Sequence, residues 1–265
     1  MTSQTRDPRV SPLLREALEA HGGLARWQQV QAVRATIVTG GQLWGMKGLV
    51  QDPDPREMTV AAHTQHASVH PFGAPDQRTD FTPDRIAIEK LDGRIVAERI
   101  HPRSSFNGHE MRTPWNPLHR AYFNGYAMWT YLTTPFLLAM PGFETTETEP
   151  WWENGERWRG LRATFPAHIA GHSAVQDFYF DQDNLLRRHD YHVDVAGGFA
   201  AAQYVHDIVE VDGLRMPTVR RAYRRDANGF PIHDELMVAI DISNLRFEGT
   251  AADAVPDGPA HDPGP

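Results

Sequence analysis

Histidines are the first candidates for catalysis in this sequence, which contains fourteen of them. The histidine side chain titrates closer to neutral pH than other side chains do. His119 stands at the start of an aromatic segment, between Trp115 and Tyr122. A neutral imidazole in an apolar pocket suits a general base. A nearby tyrosine hydroxyl, such as that of Tyr122, can donate to a developing oxyanion. The alternative is that His119 caps or packs the start of a helix.

Two further positions have neighbours that suit acid–base catalysis. His172 lies in the loop 166–173, and loops at the rim of a barrel commonly carry function. Asp190 alternates with His189 and Tyr191 on a predicted strand, so Asp190 faces one side and the two rings face the other. An aspartate beside a histidine fixes its tautomer and raises its basicity. The alternative is that the charged side of this strand is a solvent-exposed outer face.

The run His63, His66 and His70 has a spacing that raises the question of a metal site. On a strand His66 and His70 face one side and His63 faces the other. We therefore expect exposed strand histidines and no metal. Of the three, His70 is the best placed for a buried ring, because Pro71 follows it.

These arguments define two sets of candidate site residues. The predicted catalytic residues are His119, His172, Tyr122 and Asp190. The predicted ligand-binding residues are His70, Trp44, Trp115, Tyr126, Trp129, His189 and Tyr191. The sequence has no G-x-S-x-G elbow, no H-E-x-x-H, no phosphate loop with lysine and no dinucleotide fingerprint, so no cofactor is expected.

Composition excludes several classes of function. The formal charge of −8 argues against a nucleic-acid binder, which needs clustered lysine and arginine. The pairs Arg187-Arg188 and Arg220-Arg221 have acidic neighbours and are interpreted as a solvated strand face. The absence of cysteine excludes disulfides, thiolate zinc sites and an acylated cysteine anchor. With no apolar leader and no long apolar run, we expect a cytoplasmic protein that does not enter membranes.

The elements that must position these residues are mostly strands. Ser11-Pro12 and Gly22-Gly23 bracket a first helix. Alternation from Val33 predicts a strand, and residues 43–50 are predicted to return as the next one. The segment 91–94 is an Asp-Gly turn between two strands. Residues 118–140 have helical spacing of aromatics and predict one or two helices, kinked or broken before Pro135.

The fold class predicted from this order is α+β. It is a large curved antiparallel sheet of about ten strands, an unclosed half-barrel, with an N-terminal helix and with central helices plugging the concave face. The sheet is too wide to stay flat. We predict one half-barrel domain over residues 11–248, flanked by disordered segments at 1–10 and 249–265.

The second half of the chain and the first helix carry a recurring pattern. It comprises Phe178-Tyr179-Phe180-Asp181, Leu185-Leu186-Arg187-Arg188, Val211-Asp212-Gly213-Leu214, Met216-Pro217-Thr218, Ala20-His21-Gly22-Gly23 and Trp27. This pattern resembles the LolA/LolB-like lipoprotein-carrier superfamily over residues 11–248. The resemblance implies an unclosed β-barrel that holds acyl chains, with helices filling its mouth. Without an anchor cysteine or a leader, lipoprotein trafficking itself is not expected.

Three functions follow from these observations. The first is a cytoplasmic half-barrel that binds a small hydrophobic or aromatic metabolite in an aromatic, histidine-lined pocket. The second is a cofactor-independent cyclase, lyase or hydrolase that uses histidine acid–base catalysis in the same pocket. The third is a partner-binding scaffold. The sequence leaves open whether chemistry occurs, what the ligand is, and the oligomeric state.

Overall fold

The computed structural model describes residues 11–50 and 53–249. The segments predicted to be disordered, 1–10 and 249–265, lie outside the described residues, apart from Gly249, which ends the last strand. One antiparallel sheet contains thirteen strands. They are β1 (Val30–Gly40), β2 (Arg56–Ala61), β3 (Ala67–His70), β4 (Gln77–Thr82), β5 (Arg85–Lys90), β6 (Ile95–Ile100), β7 (Glu144–Glu153), β8 (Glu156–Thr164), β9 (Val175–Phe180), β10 (Leu186–Val193), β11 (Phe199–Val211), β12 (Leu214–Arg225) and β13 (Pro231–Gly249).

The strand order shows two meanders joined at their ends. It runs β6-β5-β4-β3-β2-β1-β13-β12-β11-β10-β9-β8-β7. The first strand therefore pairs with the last, and β6 and β7 are the two edges of an open sheet. The predicted half-barrel class is confirmed, but the expected number of about ten strands is too low. Two strands escaped prediction, β4 and β7, because their polar sequences lack an alternating apolar face.

Four α-helices are described: α1 (Pro12–Ala20), α2 (Leu24–Trp27), α3 (Leu43–Met46) and α4 (Pro117–Thr133). Short 3-10 turns occupy Pro102–Phe106, Phe136–Ala139 and Asp194–Ala196. The helix predicted from Ser11-Pro12 is confirmed as α1. The Ser11 side chain accepts a hydrogen bond from the Leu14 amide, 3.1 Å away, which satisfies one of the free donors of the first turn.

The prediction of a strand over residues 43–50 is wrong. The chain turns sharply after β1, and residues Leu43–Met46 form the short helix α3. Gly41 has φ 107°, a backbone conformation that favours glycine. The Trp44 indole then donates to the Gly40 carbonyl at 3.0 Å, and the segment forms α3. The partner of β1 is instead β2, in the register Val33 opposite Val60.

Helix α4 fills the concave face of the sheet. Asn116 caps its first turn, and Pro117 occupies the first helical position, where the missing amide proton costs nothing. Every residue from His119 to Thr133 is buried, including the polar Arg120 and Asn124. The helix ends before Pro135, as predicted.

Candidate functional site

A small cavity lies between one face of α4 and strands β1 and β13. Asn124, Ala127, Met128 and Tyr131 lie on this face, at the spacing that places side chains on one side of a helix. The cavity is about 10 Å³, room for about one water molecule. Its other lining residues are Ile37, Thr39, Trp44, Phe123, Val238 and Ile240. The interior here is closed and largely apolar.

The opposite face of α4 packs tightly on the first meander. The helix backbone comes nearest to β2, β3, β4 and β5. A methyl group built on Gly125 would lie 2.3 Å from the Phe81 ring, so this contact requires glycine. The Trp129 indole donates to the carbonyls of Ala61 and Thr64, both at 2.9 Å. These contacts fix α4 to one half of the sheet only.

His172 is the centre of a buried polar network beside α4. Its Nδ1 lies 3.2 Å from the Tyr126 hydroxyl, and its Nε2 lies 2.7 Å from the Tyr131 hydroxyl. The ring stacks on Tyr191, with centroids 4.0 Å apart. Tyr131 and Tyr191 also share a hydrogen bond of 2.9 Å between their hydroxyls. The structure therefore brings three of the predicted residues, His172, Tyr126 and Tyr191, into one cluster.

The network continues to a buried arginine on β12. The Gln203 amide donates to the Tyr191 hydroxyl at 3.3 Å, and its oxygen accepts from Arg220 at 2.9 Å. Arg220 also donates to the Tyr131 carbonyl at 2.7 Å, and its guanidinium lies over the Tyr131 ring. The prediction that Arg220-Arg221 form a solvated face is therefore wrong for Arg220. Only Arg221 points outward, where it pairs with Asp241.

His189 is buried next to this network. Its Nε2 lies 2.7 Å from the Gln176 side-chain oxygen, and its ring stacks on Phe178, with centroids 4.1 Å apart. Its ring also meets the edge of the Tyr191 ring. His189 and Tyr191 therefore lie on the concave side of the sheet. Asp190, on the other face of the same strand, points to the convex side.

Burial sets the protonation states of the network. It lowers the pKa of His172 and of His189 well below the ordinary value, because a charged imidazole loses its hydration there. Burial raises the pKa of Tyr131 to about 12. It also lowers the pKa of Arg220 to about 10. At neutral pH the rings are neutral, the tyrosines protonated and Arg220 charged.

His119 lies apart from this cluster, at the first turn of α4. Its Nδ1 accepts from the Asn116 amide at 3.2 Å, and its own amide donates to the Asn116 side chain at 3.1 Å. The ring packs on Phe106 and His109. Burial lowers its pKa to about 4. His119 therefore caps the helix, which is the alternative role given for it above. Tyr122, the other predicted catalytic residue on α4, packs its ring against Tyr126.

Asp190 lies on the other side of the sheet from His172. Arg188 donates to both of its carboxylate oxygens, at 2.7 and 2.8 Å, and Arg225 approaches to 3.2 Å. The Trp151 ring covers the Arg188 guanidinium. The predicted pairing of Asp190 with a site histidine is therefore not formed. The outer face predicted for this strand is charged but buried, because Trp151 and Glu153 of β7 cover it.

The remaining predicted residues are dispersed. Trp44 lines the small cavity and Trp129 anchors α4. Trp115 packs on Phe106 and Phe123 under Lys47. His70 lies on the convex face with its Nε2 3.0 Å from the Pro75 carbonyl. The predicted burial of His70 is therefore wrong, since the inward positions of β3 are Ala67 and Val69.

Four site residues escaped prediction: Asn124, Tyr131, Gln203 and Arg220. Tyr131 could have been predicted from the sequence, because its helical spacing from Asn124 and Ala127 places the three residues on one face of the helix. Gln203 and Arg220 could not, since polar residues on a strand normally indicate its solvated face. Among the described residues, no group of His, Asp and Glu is placed to hold a metal ion. Within the same ranges, no helix is long and apolar enough to span a membrane.

A second recess opens at the rim above the network. This groove is about 280 Å³ and is lined by Tyr122, the segment 165–171, Arg103 and Asp194. Arg103 donates to the Gly171 carbonyl at 2.7 Å and to Asp194 at 3.1 Å. It thereby fixes the backbone that carries His172.

Comparison with solved structures identifies the fold. A DUF1329 family protein from Desulfovibrio piger superposes with a TM-score of 0.51 and 13% identity, over 91% of this chain and 93% of that one. A domain described as an outer membrane lipoprotein-sorting protein, from Vibrio parahaemolyticus, gives 0.52 and 12%, over 89% and 92%. A LolA superfamily protein from Nitrosomonas europaea gives 0.49 and 11%, over 89% and 92%. This chain thus shares the half-barrel fold of the first two of these structures.

The resemblance inferred from the sequence is thus confirmed for the fold. No family model matches the sequence, and no curated protein matches it. At these identities the likeness concerns fold alone, and function has to be argued from the site.

Proposed function

We propose that this protein binds a small hydrophobic molecule on the concave face of its half-barrel, between α4 and strands β1 and β13. The observation that carries the proposal is the uneven packing of α4. Its backbone lies close to β2–β5, whereas side chains such as Phe123 and Met128 fill the space between the helix and β1 and β13. Moving these side chains away from β1 and β13 would open a groove with apolar walls on both sides.

The chemistry of the lining supports a hydrophobic ligand. Ile37, Trp44, Val238 and Ile240 form the sheet side of the cavity and its end. Burial of apolar surface contributes about 25 cal/mol per Å², so such a groove binds apolar molecules without specific polar contacts. The lipoprotein-sorting domain with the same fold is named for the handling of lipid-modified proteins, which is consistent with this proposal.

The geometry favours binding over acid–base catalysis. A general base needs a ring nitrogen within reach of the substrate, and both ring nitrogens of His172 are hydrogen-bonded to tyrosines. His119 lies at the far end of the helix and uses Nδ1 in the helix cap. The histidines proposed as catalytic groups therefore do not converge on the cavity.

The test is saturable binding of the neutral dye Nile red to the full chain, followed by its fluorescence. Ala127→Phe places a ring in the cavity, and we expect at least tenfold weaker binding, about 1.4 kcal/mol. Thermal unfolding of the variant establishes that it is folded.

The control is Ala97→Phe, which changes a different apolar recess. Ala97 lines an open groove of about 460 Å³ beside β5 and β6, with Ile88, Val96 and Leu118. We expect this variant to bind the dye like the unmodified chain. No saturable binding by the unmodified chain would refute the proposal, and loss of binding in Ala97→Phe alone would move the site to the edge groove.

A further inference from the structure

Arg220 is a buried cation without a carboxylate partner. Its side chain is 1% exposed. Its hydrogen-bond acceptors are both neutral, the Gln203 side chain and the Tyr131 carbonyl. Its Nε atom has no hydrogen-bond partner among the described residues. A buried charge normally has a counter-charge, because removing it from water is costly.

Asn124 provides a second donor without an acceptor. It is 6% exposed and lines the cavity, and its Nδ2 has no hydrogen-bond partner within the described part of the chain. Buried polar atoms of folded proteins are almost always hydrogen-bonded. Arg220 and Asn124 thus leave donors unsatisfied at or beside the cavity, whereas no acceptor of the described residues that line it is left unsatisfied. This imbalance indicates a missing acceptor.

The fold places Arg220 beside the cavity. Arg220 pairs with Ile240 across β12 and β13, and Ile240 lines the cavity. Tyr131, which also lines it, lies under the guanidinium, 4.8 Å from ring centroid to carbon. Asn124 lies on the same face of α4 as Tyr131 but about two helical turns, roughly 10 Å, away. The charged end of the cavity is thus the end at Tyr131.

The described part of the chain supplies no acid to neutralise this end. Among the described residues the one buried carboxylate is that of Asp190, and Arg188 holds it on the opposite face of the sheet. A guanidinium binds a carboxylate through charge-assisted hydrogen bonds, which are about twice as strong as neutral ones.

We infer that the ligand of this half-barrel is an apolar molecule with a carboxylate head, which Arg220 binds at the Tyr131 end of the cavity. This inference rests on the proposed function, since the apolar part of the ligand occupies the groove under α4. One guanidinium matches a head of a single negative charge. Gln203 and the Tyr131 carbonyl each accept from one terminal nitrogen of Arg220, so the head binds at Nε.

The experiment compares dodecanoate with dodecan-1-ol, which has the same chain and no charge. Each is titrated calorimetrically into the full chain at pH 7.5, below its aggregation concentration. We expect dodecanoate to bind at least tenfold more tightly. In Arg220→Met we expect this preference to disappear while the affinity for the alcohol is retained, because the charge is lost and the apolar groove is not.

Arg221→Met is the matched control, since it removes the same charge from the neighbouring outward position and should leave the preference intact. Arg220→Met is expected to fold, because replacing a buried charge by an apolar side chain is often tolerated. If it does not fold, Arg220→Lys, which should reduce the preference because the planar guanidinium is lost, replaces it.

The outcomes separate the two proposals. Equal affinity of the unmodified chain for both compounds, or an unchanged preference in the folded Arg220→Met variant, overturns the carboxylate inference and leaves hydrophobic binding in place. Failure of both compounds and of Nile red to bind overturns the proposed function itself.

Discussion

At the scale of single residues, the concave side of this protein keeps its histidines neutral. Burial lowers the pKa of His21 to about 4, and the pKa of His172 and of His189 is also strongly lowered. The unfolded chain has no such burial, so its histidines titrate near 6.5. Folding stability is therefore linked to pH through these rings.

The sign follows from the direction of the shifts. Above about pH 6.5 these rings are neutral in both states and pH has no effect through them. Below about pH 6.5 these histidines are protonated in the unfolded chain but stay neutral in the native state. The free energy of unfolding therefore falls as the pH falls. Each ring contributes about 1.4 kcal/mol per pH unit once the pH lies well below 6.5.

His172→Phe tests this linkage. The variant keeps the stacking on Tyr191 but leaves the Tyr126 and Tyr131 hydroxyls without their imidazole partner, which costs about 1–3 kcal/mol at pH 7. It also removes one linked proton, so we expect stability to fall less steeply between pH 6.5 and pH 5. Urea unfolding at several pH values measures both quantities.

His192→Phe is the control for that series. His192 is on the same strand as His189, but its side chain is exposed. An identical pH dependence in His172→Phe and the unmodified chain would show that the buried ring is not responsible for the loss of stability in acid.

At the scale of elements, the contact between α4 and β4 determines where the helix lies. Gly125 allows the helix backbone to approach Phe81, and the two indole hydrogen bonds of Trp129 fix the next turns. Because α4 is held on this side, the space that remains is on the side of β1 and β13. The position of the cavity thus follows from the Gly125 contact together with the Trp129 hydrogen bonds.

Gly125→Ala should therefore destabilise the protein. The added methyl group overlaps the Phe81 ring, and overpacking of this kind costs about 1–3 kcal/mol, which chemical denaturation measures. Gly45→Ala is the control, since no atom lies within 4 Å of the added methyl group. At this exposed position of α3 it should be neutral or stabilising by up to about 1 kcal/mol. Equal effects of the two substitutions would contradict this account of the contact.

At the scale of the whole molecule, an open sheet leaves two edge strands. Among the described strands β6 pairs with β5 alone, and it exposes Ile95, Val96 and Ile100. Edge strands with exposed apolar side chains pair readily with other chains. This edge lies on the meander that carries α4, away from the joined strands β1 and β13.

Val96→Lys should reduce self-association at high protein concentration, because a charged side chain on an edge strand opposes pairing. Light scattering over a concentration series measures the effect, and thermal stability should change little. Val50→Lys introduces the same charge at an exposed position outside the sheet and should have a smaller effect. Equal effects would attribute the change to net charge.

The sequence by itself determined most of the elements. Alternating residues predicted most of the strands, the Asp-Gly turn at 91–94 predicted the hairpin of β5 and β6, and Pro135 predicted the end of α4. These signals depend on side chains a few residues apart, so they survive without tertiary information. They also led to the half-barrel class and to the resemblance that the solved structures confirm for the fold.

Only the tertiary structure decided which polar residues are inside. Arg220 and Arg221 are adjacent and chemically alike, yet one is buried beside Tyr131 and the other pairs with Asp241. Strand alternation requires opposite faces but does not say which face is covered. That depends on α4, whose Tyr131 is distant in sequence from Arg220. The same holds for His119, a capping residue, and for His172, whose partners come from α4 and β10.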